Sequence, residues 1–237
     1  MIARRLGILG GTFDPIHCGH VDAALAAETA LGLTETLAVV SHIPPHRTQP
    51  VASAFHRFAM VALVVSGRPR WRASDLELQT MEPSYTSSTL DRLRGAGYLP
   101  TELFFILGAD AFAEIESWKD YPSIFDRAHF AVVSRPGFRA TDLPRRLPAL
   151  ASRMIAVSHV AVASGSTSIF LIDAPTANVS ATAIRQRRAT GQSIEGLVPR
   201  LVQEHIDRHG LYVNSPQDAN APGVRANPAA GRLHGKD

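Results

Sequence analysis

Two histidines, His17 and His20, stand three residues apart in the string Gly10-Gly11-Thr12-Phe13-Asp14-Pro15-Ile16-His17-Cys18-Gly19-His20. On the first turn of a helix that spacing puts both imidazoles on one face. Facing a polyphosphate, the two rings can donate hydrogen bonds and hold charge as it develops. The glycines follow an apolar run, Leu6 to Leu9. At the carboxyl edge of a strand, glycine lets backbone N–H groups come close to a phosphate. The start of the following helix adds N–H donors and a partial positive charge. Neither the Walker pattern G-x-x-x-x-G-K-[ST] nor G-x-G-x-x-G is present. Two other readings are a tight strand-to-helix turn with incidental histidines and a metal pair. The metal pair lacks a third ligand at sensible spacing, since His42 and His46 lie across Pro44-Pro45.

The elements that must position these residues alternate along the chain. Strands are expected at Leu6 to Leu9, Thr36 to Ser41, Trp71 to Leu76, Leu103 to Leu107, Phe130 to Ser134 and Ile169 to Ile172. Helices are expected at Val21 to Leu31, Ala54 to Ser66, Thr86 to Arg94, Thr182 to Thr190 and Pro199 to Arg208. That order predicts an α/β fold, a Rossmann-like parallel sheet with helices on both faces. Ligands bind such sheets at the carboxyl edge. Phe138 to Ser168 reads as irregular, a loop or an insertion. One domain is expected over residues 1–213, with residues 214–237, rich in Pro, Asn, Gly and Ala, as a disordered tail.

Composition narrows the setting. Of the 237 residues 45% are apolar, enough for a packed core. Cys18 is the single cysteine, which excludes an internal disulfide framework and predicts a reduced, cytoplasmic setting. The first apolar run is too short for a signal peptide, and no run approaches the length of a membrane span. The net charge of +3 is mild, and the arginines come in scattered pairs without a basic, aromatic-interleaved stripe. Neither a nucleic-acid surface nor a membrane partner is expected.

The glycine-histidine string resembles the G-G-T-F-D-P-I-H-x-G-H motif of the nucleotidyltransferase superfamily, in the form used by bacterial nicotinate-nucleotide adenylyltransferases. The resemblance implies that Gly10, Gly11, Thr12, Phe13, His17 and His20 hold the ATP phosphates. Further segments follow in the family's order, over roughly Leu6 to Val213. Pro44-Pro45-His46-Arg47 resembles P-P-H-K and makes Arg47 a phosphate-contacting cation; a proline-rich turn is the other reading. Asn178-Val179-Ser180-Ala181-Thr182-Ala183-Ile184-Arg185 resembles I-S-S-T-x-I-R. Ser180 and Thr182 then open a helix toward phosphate, and Arg185, on the same face as Thr182, forms charge-assisted bonds to it. Gly108-Ala109-Asp110 ends a buried strand, where a carboxylate either accepts bonds from ribose hydroxyls or caps a helix. Ser134-Arg135-Pro136-Gly137 resembles R-P-G, with Arg135 either on the nucleotide edge or in an ordinary turn. By resemblance Tyr85 and Thr86 lie at the nicotinate end of the acceptor, although Ser84 and Thr86 are also good helix caps. Trp118 stacks on the pyridine ring by the same resemblance, or is a core residue.

The implied reaction is adenylyl transfer from ATP to the 5′-phosphate of nicotinate mononucleotide, with His17, His20, Arg47 and Arg185 as its catalytic groups. Mg²⁺ is expected to arrive bound to ATP, with no protein metal site. Two departures touch the acceptor side: Ser88 stands where the family has an acid, and Gln79-Thr80-Met81-Glu82 replaces a basic residue and glycine. They leave open the same chemistry on nicotinamide mononucleotide or phosphopantetheine, and a nucleotide-binding regulator without catalysis. Oligomeric state is not readable from the sequence.

Overall fold

The computed structural model describes residues 4–44, 49–157 and 165–213. Within them the chain runs β1 (Leu6–Gly11), α1 (Cys18–Leu31), β2 (Glu35–Val40), α2 (Ala54–Val65), β3 (Trp71–Ser74), α3 (Thr86–Gly95), β4 (Leu103–Gly108), α4 (Ala109–Phe112) and β5 (His129–Val133). It continues through α5 (Leu143–Arg146), β6 (Met154–Ala156), β7 (Ile169–Ile172), α6 (Ala181–Ala189) and α7 (Arg200–Arg208). The expected tail, residues 214–237, lies outside the described residues. Among the described residues no helix is long and apolar enough to cross a membrane.

All strand pairs are parallel, in the order β3-β2-β1-β4-β5-β7-β6. The chain moves outward from β1 to β3, then returns to lay β4 on the other side of β1. That reversal is the switch point at which open α/β sheets bind ligands. The register opens a crevice there. Pairing of β1 with β4 stops at Leu9↔Ile106, while pairing with β2 runs on to Gly11↔Val40. Gly10 and Gly11 therefore project past the last β1–β4 pair.

Both faces of the sheet are covered, so its strands are nearly continuous in apolar residues. The neighbours Ile8 and Leu9 enter opposite cores. Leu9 packs in one core with Ala24, Leu31, Met60, Ile184 and Ile206. Ile8 packs in the other with Leu90, Phe105, Phe112 and Phe130. Gly32 ends α1 at φ 60°, a left-handed backbone suited to glycine.

The stretch from Phe138 to Ser168 is more regular than expected. It holds α5, a 3-10 stretch at Pro148–Arg153 and the strand β6, which pairs with β7 from Met154↔Ile169 to Ala156↔Leu171. Residues 158–164 of that stretch lie outside the described ones. A three-residue edge strand with Ile155 37% exposed has neither the length nor the burial pattern of its neighbours, so its sequence does not announce it.

Helix α7 lies against α2 through three histidines. His56 Nδ1 is 3.1 Å from His205 Nε2, and the His209 ring is 4.4 Å from that of His205. One nitrogen of the close pair holds a proton and the other accepts it. Burial, then the neighbouring His209, His56 and Arg208, push the His205 pKa below its ordinary value. The folded protein thus binds this proton less tightly than the unfolded chain does. The stability contributed by neutral His205 is complete above about pH 6.5 and is lost as pH falls through the lowered value. Denaturant midpoints measured at about pH 7.5 and about pH 5.5 should therefore differ more for the natural chain than for His205→Gln. An equal or larger acid loss in the variant would refute this account of the cluster.

Candidate active site at the sheet switch point

The crevice between the ends of β1 and β4 is built by close backbone approach. A Cβ on Gly10 would sit 3.1 Å from the Phe105 ring, and one on Gly11 would sit 2.9 Å from Phe13 Cε1. Phe13 itself takes a left-handed φ of 51° and turns its ring edge-on to His20, with centroids 5.2 Å apart. His17 caps α1, and its backbone N–H donates to His20 Nδ1 at 3.2 Å. The two imidazoles stack, with centroids 3.7 Å apart. The first-turn spacing therefore does bring the rings together.

His17 is 3% exposed, and its buried Nδ1 has no hydrogen-bond partner among the described residues. Burial, then the charge of Arg135, lower its pKa to about 3. At neutral pH it is an uncharged imidazole and adds no standing charge beside Arg135. Part of the α1 N-terminus is already engaged, because Cys18 N–H donates to Leu197 O at 3.0 Å.

Arg135 crosses the site. Its Nη2 donates to Val179 O at 3.1 Å. A Cβ on Gly19 would lie 2.6 Å from Arg135 Nη1 and 3.1 Å from Ala177 O, and one on Gly108 would lie 3.0 Å from Arg135 Cγ. The glycines of H-x-G-H and of Gly108-Ala109-Asp110 thus leave room for one arginine, whose backbone closes the turn to Phe138. Asp110, exposed in the first turn of α4, folds its Oδ1 into the space a Gly108 Cβ would take.

The start of α6 closes the site from the other side. Ser180 caps it, accepting from Ala183 N at 3.2 Å. Arg185 Nη2 donates to Thr182 Oγ1 at 3.3 Å, and Nη1 donates to Asp14 O at 2.7 Å. Arg185 therefore joins α6 to the glycine loop. Arg47 falls outside the described residues.

Three structural residues carried no role in the sequence reading. Asp14, 4% exposed, accepts from Val51 N at 2.8 Å, Ala52 N at 3.0 Å and Tyr212 Oη at 2.8 Å. Arg57, 2% exposed, donates from Nη1 to Thr12 O and Ser41 O, both at 2.7 Å, and from Nε to Ala52 O at 3.3 Å. An arginine amid the apolar run of α2 was the available signal for Arg57. Asp14 is visible only as a member of the glycine-histidine string, and a tyrosine after a helix is ordinary.

On the acceptor side, Tyr85 caps α3 and Thr86 begins it. Lys119 Nζ lies 4.5 Å from the Tyr85 ring centroid, so the Trp118–Lys119 turn meets the start of α3. Trp118 is half-buried, edge-on to Phe105 with centroids 6.1 Å apart. It packs on the core and keeps part of its surface open. The altered segment is well anchored: His42 N–H donates to Ser84 Oγ at 2.8 Å, and His42 Nδ1 meets Thr80 O at 2.6 Å. No acid stands at Ser88, yet Glu77 brings a carboxylate that accepts from Thr89 Oγ1, and Glu77, Ser88 and Thr89 line one small cavity. Burial raises the Glu77 pKa, against the hydrogen bonds of Thr89 and Ser84. Among the described residues, no group of three or more His, Cys, Asp or Glu side chains is arranged to hold a metal ion.

A crevice of this kind, with stacked imidazoles, arginines and a helix start around a glycine turn, suits a polyphosphate. The comparisons agree with that class. Residues 8–187 match the family model described as cytidylyltransferase-like. A probable nicotinate-nucleotide adenylyltransferase of Desulfatibacillum aliphaticivorans is 39% identical over 218 residues, covering 88% of this chain and 100% of that protein. One from Serratia proteamaculans (strain 568) is 37% identical over 206 residues, covering 86% and 94%. The fold is shared with Plasmodium falciparum nicotinic acid mononucleotide adenylyltransferase complexed with NaAD, at a TM-score of 0.68 and 20% identity over 88% of this chain and 97% of that one. The chain belongs to the cytidylyltransferase-like nucleotidyltransferases and, among them, to the nicotinate-nucleotide adenylyltransferase family.

The environment of His17 makes a direct prediction. In the nucleotide-free protein, an NMR titration should show its imidazole neutral from pH 7 down toward about 3. Protonation near the ordinary histidine value of about 6.5 would contradict the buried, Arg135-facing placement.

Proposed function

We propose that this chain transfers the adenylyl group of ATP to the 5′-phosphate of nicotinate mononucleotide, forming the deamido dinucleotide and pyrophosphate in a step of NAD biosynthesis. The carrying observation is the assembly of His17, His20, Arg135 and Arg185 around the glycine turn at the sheet switch point. The attacking phosphate is already an anion, so the reaction needs neither a general base nor a covalent enzyme intermediate. Catalysis then rests on alignment of two polyanions and on stabilising charge at the α-phosphate and the leaving pyrophosphate.

In this reading the neutral His17 and its neighbour His20 contribute hydrogen bonds to the phosphates. Arg185 contributes charge together with Arg47, and Arg135 lines the nucleotide edge. Gly10 to Phe13, Gly108, Ser180 and Thr182 shape the ATP site, and Asp110 meets the ribose. Mg²⁺ carried by ATP would supply charge neutralisation to the triphosphate alongside Arg185 and Arg47. Tyr85, Thr86 and Trp118 receive the pyridine ring; the part-open Trp118 face beside the Lys119–Tyr85 contact supports that. A cytoplasmic setting completes the reading, supported by the single cysteine.

Purified protein with ATP, Mg²⁺ and nicotinate mononucleotide should release pyrophosphate, and His20→Ala should lower kcat by about 100-fold or more, as loss of a transition-state donor does. Unchanged turnover in that variant would remove the histidine pair from the mechanism. Comparing acceptors should give nicotinate mononucleotide the highest kcat/KM, above nicotinamide mononucleotide and phosphopantetheine. A preference for either rival would reassign the acceptor, and ATP binding without turnover on all three would make the chain a regulator.

A further inference from the structure

Tyr212 lies beyond α7, far from the glycine turn in sequence, yet its hydroxyl donates to Asp14 Oδ1 at 2.8 Å. Both residues are buried. Burial, then the charge of Asp14, raise the Tyr212 pKa, so the phenol is a lasting donor. The other Asp14 bonds leave an uneven balance. Oδ1 also accepts from Ala52 N at 3.0 Å, and Oδ2 accepts from Val51 N at 2.8 Å. Two cations stand near this carboxylate. Arg57 is tied to the carbonyls of Ala52, Thr12 and Ser41. Arg185 is bonded to the Asp14 main-chain oxygen at 2.7 Å, but its Nη1 stays 3.8 Å from Asp14 Oδ2, beyond hydrogen-bond reach.

That gap matters for a cation assigned to phosphate. A carboxylate short of donors in a buried place takes the nearest one available, because an unmet buried acceptor is costly. Here the nearest movable donor is the Arg185 guanidinium. We propose that Tyr212 is a positioning residue for ATP: by donating to Asp14, it keeps that carboxylate from drawing Arg185 into a closed ion pair and leaves the guanidinium turned to the nucleotide phosphates. The proposal rests on the reading of Arg185 as a phosphate contact.

The test is a double-mutant cycle on the full chain with Tyr212→Phe, Arg185→Lys and both together. ATP affinity is measured by calorimetry with Mg²⁺, KM for nicotinate mononucleotide by initial rates, and thermal midpoints on all four proteins, with assays run well below the lowest midpoint. Tyr212→Phe should weaken ATP binding about fivefold and leave KM for the acceptor unchanged. In the Arg185→Lys background, the same substitution should weaken ATP binding by less than about twofold, while its effect on the thermal midpoint persists. An equal loss of ATP affinity in both backgrounds, or none with Arg185 present, overturns the proposal and leaves the site reading standing. Unchanged ATP affinity in a separate Arg185→Gln variant, which removes the charge that lysine keeps, overturns the site reading itself.

Discussion

The buried carboxylate of Asp14 holds the site together. Its oxygens gather the N–H groups of Val51 and Ala52 from the segment before α2 and the hydroxyl of Tyr212 from beyond α7. Arg185 joins from α6 through the carbonyl of the same residue. A charge taken out of water costs several kcal/mol unless hydrogen bonds and a counter-charge replace its hydration. Here both do, with Arg57 buried close by and fastened to the Thr12 and Ser41 carbonyls. Segments far apart in the chain are thereby fixed to the glycine turn, and the crevice keeps its shape by the same bonds that stabilise the fold.

The electrostatics of the crevice divide into two kinds of group. Arginines keep their charge at any working pH. His17 is held neutral by burial and by Arg135. A second full cation beside Arg135 would repel it in the absence of nucleotide. A neutral imidazole, whose buried Nδ1 has no partner among the described residues, adds no such repulsion. This suits transfer between two anions, where alignment and fixed dipoles matter more than proton removal.

Much of the framework was legible in the sequence because it rests on local patterns. Leu103 to Leu107 is a continuous apolar run, and it forms β4. The spacing of His17 and His20 brought their rings into contact, and Ser180, Thr182 and Arg185 gather at one helix start, with Arg185 on the Asp14 carbonyl. What local pattern does not carry is non-local. Asp14 was visible within the motif, but its partners Val51, Ala52 and Tyr212 are set by tertiary packing. Strand β6 is three residues at the sheet edge and leaves no periodic trace. The missing acid at Ser88 points, from sequence alone, to a weakened acceptor side. Glu77, arriving from the preceding segment onto Thr89, shows that a carboxylate can be supplied there from elsewhere in the chain.

The central claim is that an adenylyl group moves between two bound nucleotides at this crevice. Following the label of ATP carrying ³²P at the α-phosphate, with nicotinate mononucleotide as acceptor, tests it most directly. The account predicts that the label appears in the deamido dinucleotide, in step with unlabelled pyrophosphate. Label remaining in ATP, or emerging as free AMP, would contradict it.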